Sequence, residues 1–106
     1  MKLLLKNELT SHDVYEFCYP IHYPNHWNDN SLFLNSDDIV LLSPYLDNII
    51  PNFHYYGEQK MTLSDWNAIK NLCLADKLHF DTFFQTIDNW IRHNPQQDNY
   101  FWILGI

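Results

Sequence analysis

Phe80, Phe83, Phe84, Ile87, Trp90 and Ile91 recur at steps of three and four residues ahead of Pro95. That spacing returns side chains to one side of an α-helix, so the run predicts a helix with one continuous apolar stripe, stopped by the proline. A helix so built has to lay its stripe against a second layer. These rings are therefore assigned to a core, and Trp66 with them.

The neighbouring segments supply that layer. Thr62-Leu63-Ser64-Asp65 reads as a capping box with aspartate in the usual glutamate place, opening a helix that carries Leu63, Trp66, Ile69 and Cys73 on one face. Ser36-Asp37-Asp38 opens another through Ile39 to Leu42, and Ser43-Pro44 is expected to begin a fresh turn or second helix ending before Pro51. Thr10 or Ser11 is expected to cap a helix running to about Cys18, with Asp13 and Glu16 near its positive end. Pro20 and Pro24 impose an irregular passage, and Asn25 to Asn30 is turn chemistry. Lys2 to Lys6, Ser31 to Leu34 and Tyr100 to Ile106 read as strands. Phe53 to Tyr56 looks extended, so Tyr55 and Tyr56 should point to opposite sides, with a turn at Gly57. The expected fold class is α+β: a helix-rich single globular domain over residues 1–106, with a small antiparallel sheet. A chain of 106 residues can bury roughly two-thirds of its unfolded surface, enough for a core without staples.

Charge is distributed unevenly. From Asn7 to Gln59 there are eight carboxylates and no lysine or arginine. With Lys2 and Lys6 the first 59 residues carry −6 of the net −7. Such a half repels nucleic acid and anionic lipid and attracts basic surfaces. The partner class is therefore a positively charged molecule.

Catalytic and metal-binding patterns are weak. His22 and His26 are four apart, a spacing that suits zinc on a helix, but Pro24 lies between them. No HExxH or CxxC accompanies them, so no metal or other cofactor is expected. Ser11-His12-Asp13 has the residue types of a hydrolytic triad, yet sequence neighbours in a helical turn diverge, and capping explains Ser11 and Asp13 better. Asp37-Asp38 has reason enough to exist at a helix start. There is no glycine-rich phosphate loop and no basic stripe. An enzyme is not expected. Cys18 and Cys73, far apart in sequence, can pair but are expected to be free, half-buried thiols. The apolar run Leu3-Leu4-Leu5 ends at Lys6, short of a secretory signal, and a cytoplasmic protein is expected.

Aromatic residues interleave with the acids: Tyr15, Phe17, Tyr19, Tyr23 and Trp27 follow no single period. Rings beside carboxylates suit an interface that buries anchors and steers a basic partner, and they equally suit a small protein covering its core. Both readings stand for Tyr19, Tyr23 and Trp27.

In its acidic single domain, in Tyr55-Tyr56-Gly57 followed by Leu63-Ser64-Asp65-Trp66, and in the terminal Tyr100-Phe101-Trp102-Ile103-Leu104-Gly105-Ile106, the chain resembles immunity proteins of bacterial toxin systems such as contact-dependent growth inhibition. The resemblance implies a protein that binds one cognate toxin domain and blocks it, often a nuclease with a basic cleft. On that reading Glu16, Asp29, Asp37, Asp38 and Asp47 supply charge, and Tyr19, Tyr23 and Trp27 supply anchors. Two other classes remain: an acidic nucleic-acid mimic acting as adaptor for another basic protein, and a small metal-dependent hydrolase using His22 and His26.

Overall fold

Helices fall at Leu63–Ala75 and Asp81–Arg92, where apolar residues recur at steps of three and four, and strands at Val14–Cys18, Leu32–Asn35 and Tyr100–Leu104, where aromatic and aliphatic residues crowd together. The computed structural model of the chain describes residues 1–21, 24–94 and 98–105. The order is β1 (Leu3–Leu4), β2 (Val14–Cys18), β3 (Leu32–Asn35), α1 (Ile39–Ile49), β4 (Glu58–Thr62), α2 (Leu63–Ala75), α3 (Asp81–Arg92) and β5 (Tyr100–Leu104), with 3-10 turns at Lys6–Glu8 and Ser36–Asp38. The fold is α+β: the five strands form one antiparallel sheet ordered β1-β3-β2-β5-β4.

The three helices pack on one sheet face. Tyr15 and Phe17 of β2, Leu32 and Leu34 of β3, Phe101 and Ile103 of β5 and Met61 of β4 meet Leu42 and Leu46, Trp66 and Ile69, and Phe83 and Ile87. Phe17 stands edge-on to both Trp66 (6.0 Å) and Phe83 (6.2 Å), a geometry that aromatic quadrupoles favour. The α3 stripe is buried as its spacing requires, and the Thr62 hydroxyl accepts the Asp65 N–H (3.1 Å), so the cap of α2 is real.

Two expectations fail. Residues 11–18 are not helical: Val14–Cys18 is a central strand, buried at every position. Tertiary pairing with β3 on one side and β5 on the other overrides the capping signal of Thr10 and Ser11. Ser11 caps nothing longer than a turn, accepting the Asp13 N–H at 3.1 Å. Nor does Pro44 divide the segment after Asp38; α1 runs through it. Proline removes the N–H that would meet the Val40 carbonyl, and the Ser43 hydroxyl donates to that carbonyl instead (3.2 Å). Strand β4 was not expected at all. Pro95 and Ile106, expected as a helix stop and a strand end, lie outside the described residues.

Among the described residues the second sheet face has no helix. It presents Val14, Glu16 and Cys18 with Phe33 and Leu104, all buried. Trp27, Asn28 and Ser31 of the β2–β3 connection lie over Glu16 and Phe33 on this face. Trp90 of α3 ties both ends of that connection: its carbonyl accepts the Tyr19 hydroxyl (2.6 Å), and its indole N–H donates to the Asn30 carbonyl (2.8 Å). At the β4 edge the outward carbonyls are also occupied. The His54 ring lies 3.2 Å from the Glu58 carbonyl, and the Gln59 side chain donates to that of Lys60 (3.0 Å). Covered in this way, the edge offers little template for another strand. Among the described residues no helix is long and apolar enough to cross a membrane.

Candidate partner interface

The expected site residues separate into an inner group and an outer group. Glu16 belongs to the inner one and corrects the expectation that it displays charge: it is 1% exposed, at the centre of β2. Alternation along the strand turns it onto the face away from the helices, under the β2–β3 connection. One carboxylate oxygen accepts the Trp27 N–H (2.7 Å), and the other accepts the Asn28 N–H (3.0 Å), the Asn28 side-chain amide (2.8 Å) and the Ser31 hydroxyl (2.6 Å). A buried carboxylate needs such donors, because no lysine or arginine reaches it among the described residues. Cys18, next on the same face, has its thiol pushed up to about 11 by burial and then by the charge on Glu16.

Tyr19 and Trp27 serve the same covering segment. Tyr19 stacks on Trp90 (4.3 Å, 6° between planes), and its hydroxyl is already committed there, so it is an internal strut rather than an anchor. Trp27 stacks on Phe33 (5.8 Å) and keeps 36% of its surface exposed. Its backbone has φ +72°, a left-handed conformation costly for a bulky residue. In that conformation consecutive N–H groups, its own and that of Asn28, converge on Glu16 as an anion-binding nest. Asp29 pairs with Lys6 at 2.9 Å on the surface. Tyr23 lies outside the described residues, as does His22.

The outer group is α1. Asp37 of the preceding 3-10 turn, and Val40, Leu41, Pro44, Asp47 and Asn48 of the helix, are all exposed. At about 100° per residue they fall within an arc of about 120°, opposite the buried Ile39, Leu42 and Leu46. Val40 is 63% and Leu41 45% exposed, so this helix shows an apolar strip to solvent as well as to the core. Asp37 and Asp47 close its two ends, roughly 15 Å apart by helical rise. Asp38, beside Asp37, is half-buried. Asp47 accepts the Tyr55 hydroxyl (2.7 Å), and burial together with this bond raises the Tyr55 pKa. Tyr55 packs against Phe53 while Tyr56 beside it is 86% exposed. The two sit in a turn rather than in the extended segment expected over Phe53 to Tyr56, with the Tyr55 N–H meeting the Phe53 carbonyl at 3.1 Å. The lysine–carboxylate pairs among the described residues are Lys6–Asp29 and Lys70–Asp88, so no lysine or arginine neutralises Asp37, Asp38 or Asp47.

Sequence reasoning named the acids of this face but missed its apolar centre. Val40 and Leu41 were indistinguishable from core in a run of four aliphatic residues. The signal was Pro44, which belongs on an exposed helix side. Among the described residues no group of three or more histidine, cysteine, aspartate or glutamate side chains is placed to hold a metal ion. Protein-family models, curated proteins and solved structures give no match to this chain.

Proposed function

We propose that the chain is an immunity protein, which binds the basic domain of a cognate toxin in the cytoplasm and occludes its active-site cleft. The observation that carries this reading is the outer face of α1: an exposed apolar strip, Val40, Leu41 and Pro44, bounded by the unneutralised carboxylates Asp37 and Asp47. A strip that water covers poorly wants an apolar partner surface, and its acidic ends want cations. A nuclease cleft, built to hold phosphates, offers lysine and arginine around an apolar floor. Opposite potentials can lift association from ~10⁵–10⁶ to ~10⁸–10⁹ M⁻¹s⁻¹ at low salt. Burial of the apolar strip then slows release.

Co-expression with the toxin encoded by the neighbouring gene should protect cells and yield a complex that survives purification. Unprotected cells, or no complex, remove the reading. A complex with a basic protein that is no toxin would transfer the same surface to the adaptor role.

A further inference from the structure

Trp27, His12 and His26 surround a cavity of about 150 Å³ whose remaining walls are Val14, Glu16 and Gly105. It opens on the sheet face opposite the helices, away from α1. Drug-sized ligands need roughly 300–1,000 Å³, so this cavity is sized for one head group.

Its chemistry is specific. Oε2 of Glu16 accepts three hydrogen bonds, whereas Oε1 accepts one, from the Trp27 N–H, among the described residues. Among the described residues Oε1 therefore carries two fewer hydrogen bonds than Oε2, which leaves it room for a further donor. His26 Nδ1 stands 3.9 Å from Oε1, too far for a hydrogen bond. The lining contains no lysine or arginine, and its titratable groups are His12, Glu16 and His26. The indole of Trp27 forms a flat wall, with the His12 ring centred 5.1 Å from it. Holding a tryptophan at φ +72° costs of order 1–3 kcal/mol, and strain of this kind gathers where a ligand is clamped.

We infer that this cavity binds a guanidinium group, the head of an arginine side chain. A guanidinium is planar, always charged and weakly hydrated, so it enters an aromatic-walled site more readily than an ammonium does. One N–H would meet Oε1, and the plane would lie along Trp27. The charge of Glu16, which no lysine or arginine among the described residues reaches, would then gain a permanent cation. The site stands independently of the toxin reading, because it lies across the sheet from α1.

The test follows the Trp27 indole N–H by NMR while blocked N-acetyl-arginine-N-methylamide is titrated into the millimolar range. A saturable shift is expected, confined to residues 12–16, 26–28 and 105. N-acetyl-norleucine-N-methylamide, of similar length and no charge, should give a response at least about tenfold weaker. Ethylguanidinium separates two sources of the head group: binding of both cations fits a protein arginine, and binding of ethylguanidinium alone fits a free small guanidine. Glu16→Gln should abolish the shift. His26→Ala, which leaves Oε1 in place, should retain it and guards against a misfolded Glu16 variant. No saturable shift in the unaltered protein, or an equal response to the norleucine compound, overturns the inference.

Discussion

Glu16 and Trp27 hold each other in conformations neither would keep alone: the strand buries the carboxylate, and the carboxylate draws the Trp27 N–H to 2.7 Å in a left-handed turn. Removing the acid orphans the N–H groups of Trp27 and Asn28 and the Ser31 hydroxyl. Glu16→Ala should therefore cost about 3 kcal/mol in denaturant unfolding, and Glu16→Gln less. Amide exchange in Asn25–Ser31 should quicken in both. Unchanged exchange there would show that the segment is held otherwise.

Lys77 ends α2 in the left-handed region at φ +58°. The Leu78 N–H reaches the Cys73 carbonyl (3.0 Å) and the Lys77 N–H that of Leu74 (2.9 Å), the paired bonds of a Schellman motif. Glycine adopts this conformation without its Cβ penalty. Lys77→Gly should raise stability by about 0.5–1 kcal/mol, read as an increase in Tm of a few degrees.

The two glycines should respond oppositely to alanine. A Cβ on Gly105 would lie 2.1 Å from the Tyr55 carbonyl oxygen, where backbone meets backbone and nothing can yield cheaply. A Cβ on Gly57 meets nothing within 4 Å. Gly105→Ala should cost about 2 kcal/mol or more, and Gly57→Ala should stay within about 0.5 kcal/mol, both by urea titration.

Stability should decline in alkali. Burial lifts the Cys18 thiol from its ordinary 9.0 to about 11, so the folded state keeps a proton that the unfolded state has lost. That contribution is whole below pH 9.0 and is lost as pH rises towards about 11. Tyr15 and Tyr55, both raised first by burial, add the same sign at higher pH. The urea midpoint should fall across this window, and Cys18→Ala should flatten the fall. An equal slope in the variant would place the effect elsewhere.

On α1 the charged and apolar residues should act on different rates. If the proposed toxin domain is the partner, reversing Asp37 and Asp38 to lysine should slow association with it by about tenfold at low salt and barely change dissociation. Val40→Ser with Leu41→Ser should speed dissociation, at about 1–2 kcal/mol per residue. Surface plasmon resonance across a salt series measures both. Association insensitive to salt in the unaltered protein would discount charge steering.

Helical period makes α2 and α3 legible in the sequence, since Trp66 with Ile69 and Phe83 with Phe84, Ile87 and Trp90 recur at steps that return to one helix face. Strand β2 was misread because Ser11, Asp13 and Glu16 are good helix-start residues, and local preference says nothing of the two strands that flank Val14–Cys18. The same misreading put Glu16 on the surface. Its alternation with Tyr15 and Phe17 was visible, but a carboxylate at an inward strand position reads as solvent-facing until its donors, eleven to fifteen residues later, are known. Tyr19 was ambiguous for a comparable reason: its partner, Trp90, is 71 positions away.

Burying one carboxylate in the middle of β2 also decides how the sheet can be assembled. Glu16 lies opposite Phe33 on one side and Leu104 on the other. A slip of one residue would invert the strand and drive the acid among Trp66, Phe83 and Phe101, with no donor to meet it. Any competing alignment of this aromatic-rich sheet carries that penalty. Glu16 thus works as a key that only one pairing of the strands admits.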